Sequence, residues 1–258
     1  MYYTSFIAHN LKRTCFVFAV AMLYALTSAG QVVRVAAAAN LNSVITVLQN
    51  DFNKKTGVAI EVIVGSSGKI VAQIKNGAPF DVFLSADMSY PTALYKDGFS
   101  ANPPARYALG SLIICSTKNV GFERWERVLL TPKIKKIAIA NPAIAPYGMA
   151  AEGLLKRRGI TDNIKSKIVY GESVSQVNTY ITTGVVDVGF TTLALVKDPA
   201  NKVPLYWKVI DPRSYPALEQ GIVILKNGAA NLNAEKFYRY ILSADAKRIF
   251  EQYGYRTK

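Results

Sequence analysis

Histidine is almost absent: one residue in 258, His9, and it falls in a leader-like segment. A chain that loses that segment has no imidazole, which excludes histidine-based acid-base catalysis and histidine metal ligation. Cysteine is nearly as scarce, with Cys15 in the same segment and Cys115 alone in the apolar run SLIICS, 111–116. A disulfide framework within one mature chain is therefore excluded, and Cys115 reads as a small buried hydrophobe. Acidic residues are also few, 17 against 31 basic ones. That basic excess favours anionic ligands only as a long-range bias. The lysines and arginines are scattered and show no zinc-finger spacing, so a nucleic-acid partner is not expected. Long apolar runs are missing too, since no segment after the leader approaches the roughly 20 residues that span a bilayer.

Residues 1–30 carry the pattern of a secretory signal peptide: Lys12 and Arg13, an apolar run over 15–26, then the small residues of TSAG, 27–30. Setting those two basic residues aside lowers the formal charge from +14 to +12. Cys15 lacks the small-residue context of a lipidated cysteine, so export as a soluble, monomeric periplasmic protein is the expectation. The remaining length suffices for one large core or two small ones.

From residue 32 onward short apolar runs alternate with helical patterns. Strands are predicted at 32–37, 58–64 and 80–85, with helices at 41–55 and 69–75 between them, a βαβαβ series that implies mostly parallel pairing. The pattern breaks at SANPP, 100–104, and a new series begins with a strand at 109–115. Further strands are expected at 134–140, 168–170 and 185–190, with helices at 147–158 and 174–182. Strands at 207–210 and 221–226 and helices at 233–242 and 244–253 close the chain. This order predicts an α/β protein with mixed sheets flanked by helices. Its lobes are 31–108 plus 219–258 and 109–218, with a ligand cleft between them.

The stretch VGSSGKI, 64–70, suggests three chemistries. A nucleotide P-loop needs a glycine five positions before Gly68 and a hydroxyl after Lys69; Ile63 and Ile70 stand there instead. Ser66 and Lys69 have the spacing of a serine acyl-enzyme, but the companion motifs stand in the wrong order, and Lys55-Thr56-Gly57 reads as a helix stop. The third option needs no catalysis: hydroxyls and unpaired N–H groups at a helix start attract an anion. Ordinary capping by Ser66 or Ser67 satisfies the same letters. Asn40, the turn NPAIAPYG at 141–148, Ser173 and Thr191-Thr192 repeat the strand-to-helix arrangement, each also open to plain capping.

Several stretches together resemble the periplasmic molybdate-binding proteins of ABC transporters. They are VAAAANL at 35–41, Gly57, VGSSGKIVAQIKNGAPFDVFLSAD at 64–87, NPAIAPYGMA at 141–150, SVS at 173–175, DVGFT at 187–191 and FEQYGY at 250–255. The resemblance implies a type II solute-binding fold that closes over molybdate or tungstate and delivers it to a membrane permease, with no catalytic residues and no cofactor. Molybdenum or tungsten would be held as the oxyanion, without direct cation ligands. The family's ligand-binding positions fall on Asn40, Ser67, Tyr147, Val174 and Thr192, with Ser66, Gly68 and Thr191 as additional candidates. Tyr147 and Val174 would contribute backbone N–H groups. Asn40 stands where the family has serine and Thr192 where it has tyrosine; both still donate hydrogen bonds while changing reach and pocket width. Asp81 and Asp87 are expected to be structural, because a carboxylate facing the pocket would repel a dianion. Lys69 is expected at the rim and Phe190 in the core. The alternatives are a receptor for sulfate or another tetrahedral oxyanion and, further off, a secreted serine-dependent hydrolase.

Overall fold

The computed structural model describes residues 32–257, so the signal peptide expected at 1–30 lies outside the described residues. The chain opens with strand β1 (Val33–Ala38), a 3-10 turn at Ala39–Leu41, helix α1 (Ile45–Thr56), β2 (Ile60–Gly65), α2 (Ser67–Lys75), β3 (Val82–Leu84), α3 (Ser89–Lys96) and β4 (Ala105–Leu109). It continues through β5 (Leu112–Ser116), α4 (Trp125–Leu130), β6 (Ile137–Ala140), α5 (Pro146–Arg157), β7 (Ile168–Gly171), α6 (Val174–Thr182), β8 (Val188–Thr192) and β9 (Tyr206–Val209). The last elements are β10 (Glu219–Ile224), α7 (Leu232–Ile241) and α8 (Ala244–Gln252).

These elements form two five-stranded mixed sheets, ordered β2-β1-β3-β10-β4 and β7-β6-β8-β5-β9. In the first, β1 pairs in parallel with β2 and β3, while β10 runs antiparallel to β3 and β4. The second repeats the plan: β6 is parallel to β7 and β8, and β5 is antiparallel to β8 and β9. The chain passes from the first sheet to the second between β4 and β5 and returns between β9 and β10. This is the two-lobed, type II solute-binding architecture.

Helices cover both faces of each sheet, as the apolar strands require. On one face of the first sheet Leu48 and Phe52 of α1 meet Phe237 of α7 and Phe250 of α8; on the other, Ile70 and Ile74 of α2 meet Phe83 and Leu94. Phe52 and Phe237 pack edge to face at 5.2 Å. In the second sheet Trp125 meets Phe190 in the same manner at 5.6 Å, which places Phe190 in the core. Gly57 ends α1 at φ 69, and its N–H bonds to Asn53 O at 2.7 Å, so the Lys55-Thr56-Gly57 triplet is a helix stop.

The expected strand at 109–115 divides in the structure. β4 ends at Leu109 and β5 starts at Leu112, because the chain changes sheets at Gly110. A Cβ at Gly110 would overlap Tyr147 OH and lie 2.7 Å from Gln220 Nε2, so glycine lets two buried side chains crowd this crossing. Strand β4 and helices α3 and α4 were not anticipated. β4 follows directly on a proline pair, and α4 is only six residues long.

Cys115 sits on β5 with no exposed surface, and burial pushes its thiol up to about 12. Leaderless protein treated with a maleimide at pH 8 is expected to stay unlabelled when native and to take one label per chain in denaturant; stoichiometric native labelling would contradict this burial.

Candidate functional site

Strand register creates the site. Ala38 at the end of β1 is level with Gly65 at the end of β2, and Ala140 of β6 is level with Gly171 of β7. Each strand turns at that level into a helical start. The 3-10 turn carrying Asn40 and the N-terminus of α2 thus come from one lobe, and the N-termini of α5 and α6 come from the other. They meet around a small cavity walled by Asn40, Ser66 and Ser67 on one side and Pro146, Tyr147 and Val174 on the other, with Ala38, Ala39, Ala86 and Ala145 filling in. First-turn N–H groups have no partner within their own helix, and their dipoles add positive potential at one point. Among the described residues no carboxylate and no ammonium group lines the cavity.

The two serines divide their work. Ser66 is the N-cap of α2 with extended geometry (φ −64, ψ 145), yet its side chain makes no capping bond. Its Oγ is buried and has no partner. Ser67 Oγ accepts from Ala86 N at 3.1 Å, which leaves its hydroxyl proton to point elsewhere. Plain capping therefore explains neither serine. Ser173, by contrast, does cap its helix, accepting from Gln176 N at 3.4 Å.

Asn40 is tied from behind. Its Nδ2 donates to Gln220 Oε1 at 2.8 Å and to Tyr255 OH at 3.0 Å, and its carbonyl accepts from Tyr255 OH at 2.7 Å. Its Oδ1 has no donor, and Tyr147 OH, although within reach of Thr192 and Gln220, makes no hydrogen bond of good geometry with either. Burial raises the Tyr147 and Tyr255 hydroxyls above the ordinary phenol range, so both remain protonated. Among the described residues four buried side-chain polar atoms lack partners, and three belong to residues of this cavity: Asn40 Oδ1, Ser66 Oγ and Tyr147 OH. Orphaned polar atoms are rare in folded interiors, and three at one cavity mark a place built to meet a polar guest.

The other candidates fall around this centre. Thr192 is buried outside the cavity lining, where its Oγ1 accepts from Ala194 N at 3.3 Å near the Tyr147 and Tyr255 hydroxyls. Thr191 bonds to Asn178 on α6. Gly68 spends its N–H on Ile144 O across the cleft at 2.9 Å. Asp81 accepts from Arg34 N at 2.7 Å, and Asp87 accepts from Ser85 Oγ at 3.1 Å and Tyr90 N at 3.2 Å, so both carboxylates serve local structure. Three residues behind the cavity were missed: Gln220, Tyr255 and Tyr107. Gln220, polar within the apolar strand β10 and fully buried, was the signal available for them.

The lobes touch at the rim. Besides the Gly68 bond, Ser175 Oγ donates to Ala39 O at 3.0 Å, and Lys69 pairs with Glu172 at 2.5 Å. Both partners of that ion pair are about half exposed, so it contributes at most about 1 kcal/mol. Gly68 matters more sterically, since a Cβ there would stand 2.7 Å from Tyr90 OH and 3.0 Å from Ile144 Cα.

Comparison with known proteins agrees with this architecture. The family profile described as bacterial extracellular solute-binding protein matches residues 33–256. The molybdate-binding protein ModA of Azotobacter vinelandii is 36% identical over 225 residues, covering 86% of this chain and 89% of that protein. ModA of Rhodobacter capsulatus is 33% identical over 244 residues, covering 93% and 94%. The solved structure of the Azotobacter vinelandii periplasmic molybdate-binding protein superposes with a TM-score of 0.82 at 35% identity, covering 86% of this chain and 98% of that one. The chain therefore belongs to the bacterial extracellular solute-binding proteins, in the family of the molybdate-binding protein ModA.

Proposed function

We propose that this protein captures molybdate, and tungstate with it, in the periplasm and delivers it to the permease of an ABC transporter. The observation that carries this reading is the cavity wall: helix starts from two lobes, serine hydroxyls and no carboxylate. A fully deprotonated tetrahedral dianion offers only acceptors. Fixed uncharged donors can surround it, each charge-assisted bond contributing roughly 1.5–3 kcal/mol. The two ModA relatives named above support the same ligand class.

In this reading Ser66, Ser67 and the α2 N–H groups hold one side of the anion from the lobe of residues 31–108 plus 219–258. The backbone at Tyr147 and Val174 holds the other side from 109–218, and Asn40 completes the ring. Thr191 and Thr192 support the wall from outside. The cycle contains no chemical step: the cleft closes on the anion, a monomer docks on the permease, and reopening releases the cargo. Sulfate is the second reading, because tetrahedral dianions share this donor pattern and differ in radius. A serine hydrolase is disfavoured because, among the described residues, no base is hydrogen-bonded to Ser66 Oγ or Ser67 Oγ, and Lys69 is turned to Glu172.

Calorimetry with molybdate, tungstate, sulfate, phosphate and chromate tests the assignment. Tight binding of the first two and weak binding of phosphate is expected; five comparable weak heats, or a phosphate preference, would sink it. The serines give a finer test. Ser66→Ala removes a hydroxyl that has no partner, so affinity is expected to fall roughly ten- to hundredfold with little change in the thermal midpoint of the free protein. Ser67→Ala also strands the Ala86 N–H and should lower both. Gly68→Ala places a methyl between the lobes. It is expected to weaken binding about tenfold and to keep the liganded protein as expanded in X-ray scattering as the free one; unaltered compaction on binding would show that the rim does not need glycine.

A further inference from the structure

Asn40 is the one side-chain amide of the cavity wall, with a donor end and an acceptor end fixed on opposite sides, and in the arrangement described it offers the wrong one. Both Nδ2 protons are spent on Gln220 Oε1 and Tyr255 OH, and Oδ1 is the end left over. A bare acceptor suits an anion that still carries a proton, such as hydrogen phosphate, and repels one that carries none.

The surrounding atoms admit a second arrangement. Gln220 is fully buried at the point where the β10–β4 pairing shifts register. Its Oε1 accepts from Asn40 Nδ2 and from Tyr107 OH at 3.1 Å, and its Nε2 has only a 3.4 Å contact with Leu218 O. Tyr107 OH also has Ser85 O at 3.1 Å as an acceptor. If both amides turn by half a rotation, Gln220 Nε2 donates to Asn40 Oδ1 and to Tyr107 OH, whose own proton goes to Ser85 O. Tyr255 OH keeps its bond to the Asn40 carbonyl. Gln220 Oε1 then lies beside Tyr147 OH, since Gln220 Nε2 and Tyr147 OH crowd together over Gly110. The orphaned phenol gains an acceptor; what is lost is the weak Leu218 contact and the 3.0 Å bond from Asn40 Nδ2 to Tyr255 OH, whose single proton is then shared between the Asn40 carbonyl and Oδ1. Asn40 Nδ2 now faces the cavity as a donor.

Resting on the oxyanion reading above, we propose that Gln220 is a positioning and specificity-determining residue that sets the donor or acceptor polarity of Asn40. A fully deprotonated dianion holds both amides in the turned arrangement. That arrangement also bonds Gln220 of one lobe to Tyr147 of the other, so ligand polarity and lobe closure are read by the same pair of amides.

The test compares molybdate with hydrogen phosphate at pH 8 in wild type, Gln220→Glu and Gln220→Met. An ionised carboxylate at 220 can only accept, which locks Asn40 with Oδ1 toward the cavity. It also repels every dianion, so the ratio of the two affinities is the readout. The molybdate-to-phosphate ratio is expected to fall at least about tenfold in Gln220→Glu and to recover as pH is lowered and the buried carboxyl takes up a proton. Methionine neither donates nor accepts and leaves Asn40 free to turn, so its ratio is expected within about threefold of wild type. A ratio that moves equally in both variants, or in neither, overturns the proposal. If Gln220→Glu does not fold, the wild-type side-chain amide NMR signals decide. Those of Asn40 and Gln220, assigned by their loss in Asn40→Ser and Gln220→Met, should both shift on molybdate addition; an unmoved Gln220 signal overturns the inference. Should wild type prefer sulfate, sulfate replaces molybdate in the ratio and the inference stands or falls separately from the molybdate assignment. A wild type that binds no oxyanion overturns both.

Discussion

Unpaired N–H groups at helix starts are the constraint on which this molecule turns. Three helices and a 3-10 turn begin at one place, and each brings donors that its own first turn cannot satisfy. In open solvent water meets them. Once the two lobes stand as close as the Gly68–Ile144 bond holds them, water has little room, and the donors need an acceptor carried in from outside. Much else follows from keeping that place clear: alanines at 38, 39, 86 and 145, glycine at 68, and carboxylates turned away into local bonds.

Uncharged donors also explain how a basic protein can hold an anion without a lysine or arginine in the cavity. A buried ammonium would need its own counterion whenever the cavity stood empty. Backbone dipoles carry no such demand, and they are fixed by the sheets behind them. Positive charge is left to the rim, where Lys69 is paired and half exposed. There it acts at long range and is screened by salt.

Much of this was legible in the letters. Alternating apolar runs placed most strands and helices, because burial on both faces of a parallel core leaves a strong pattern. The junctions at 40, 66–67, 147 and 174 stood out because serine, asparagine and proline have definite reasons to begin helices. What a linear reading does not carry is which hydroxyl remains unpartnered. Ser66 and Ser67 are equivalent as letters; only the position of the Ala86 N–H separates them. Gln220 is 180 residues from Asn40 and falls just before the strand expected at 221–226, so the linear pattern does not show that its side chain points inward to partners from elsewhere in the chain. The break at Gly110 was hidden for the same reason, its cause being Tyr147 and Gln220 crowding over it.

Strand order has a consequence for how the chain assembles. The one strand beside β4 among the described residues is β10, apart from a single bridge from Leu109 to Arg256, and β10 lies between β3 and β4 although some 110 residues separate its start from the end of β4. Without the stretch 219–224, β4 would have no strand to join it to β3. The second sheet draws all its strands from 112–209 and has no such dependence. Closing a loop of that length costs chain entropy before the pairing repays it. The first sheet thus depends on a pairing that spans the whole second sheet in sequence, and the cavity, which takes residues from both sheets, inherits that closure cost.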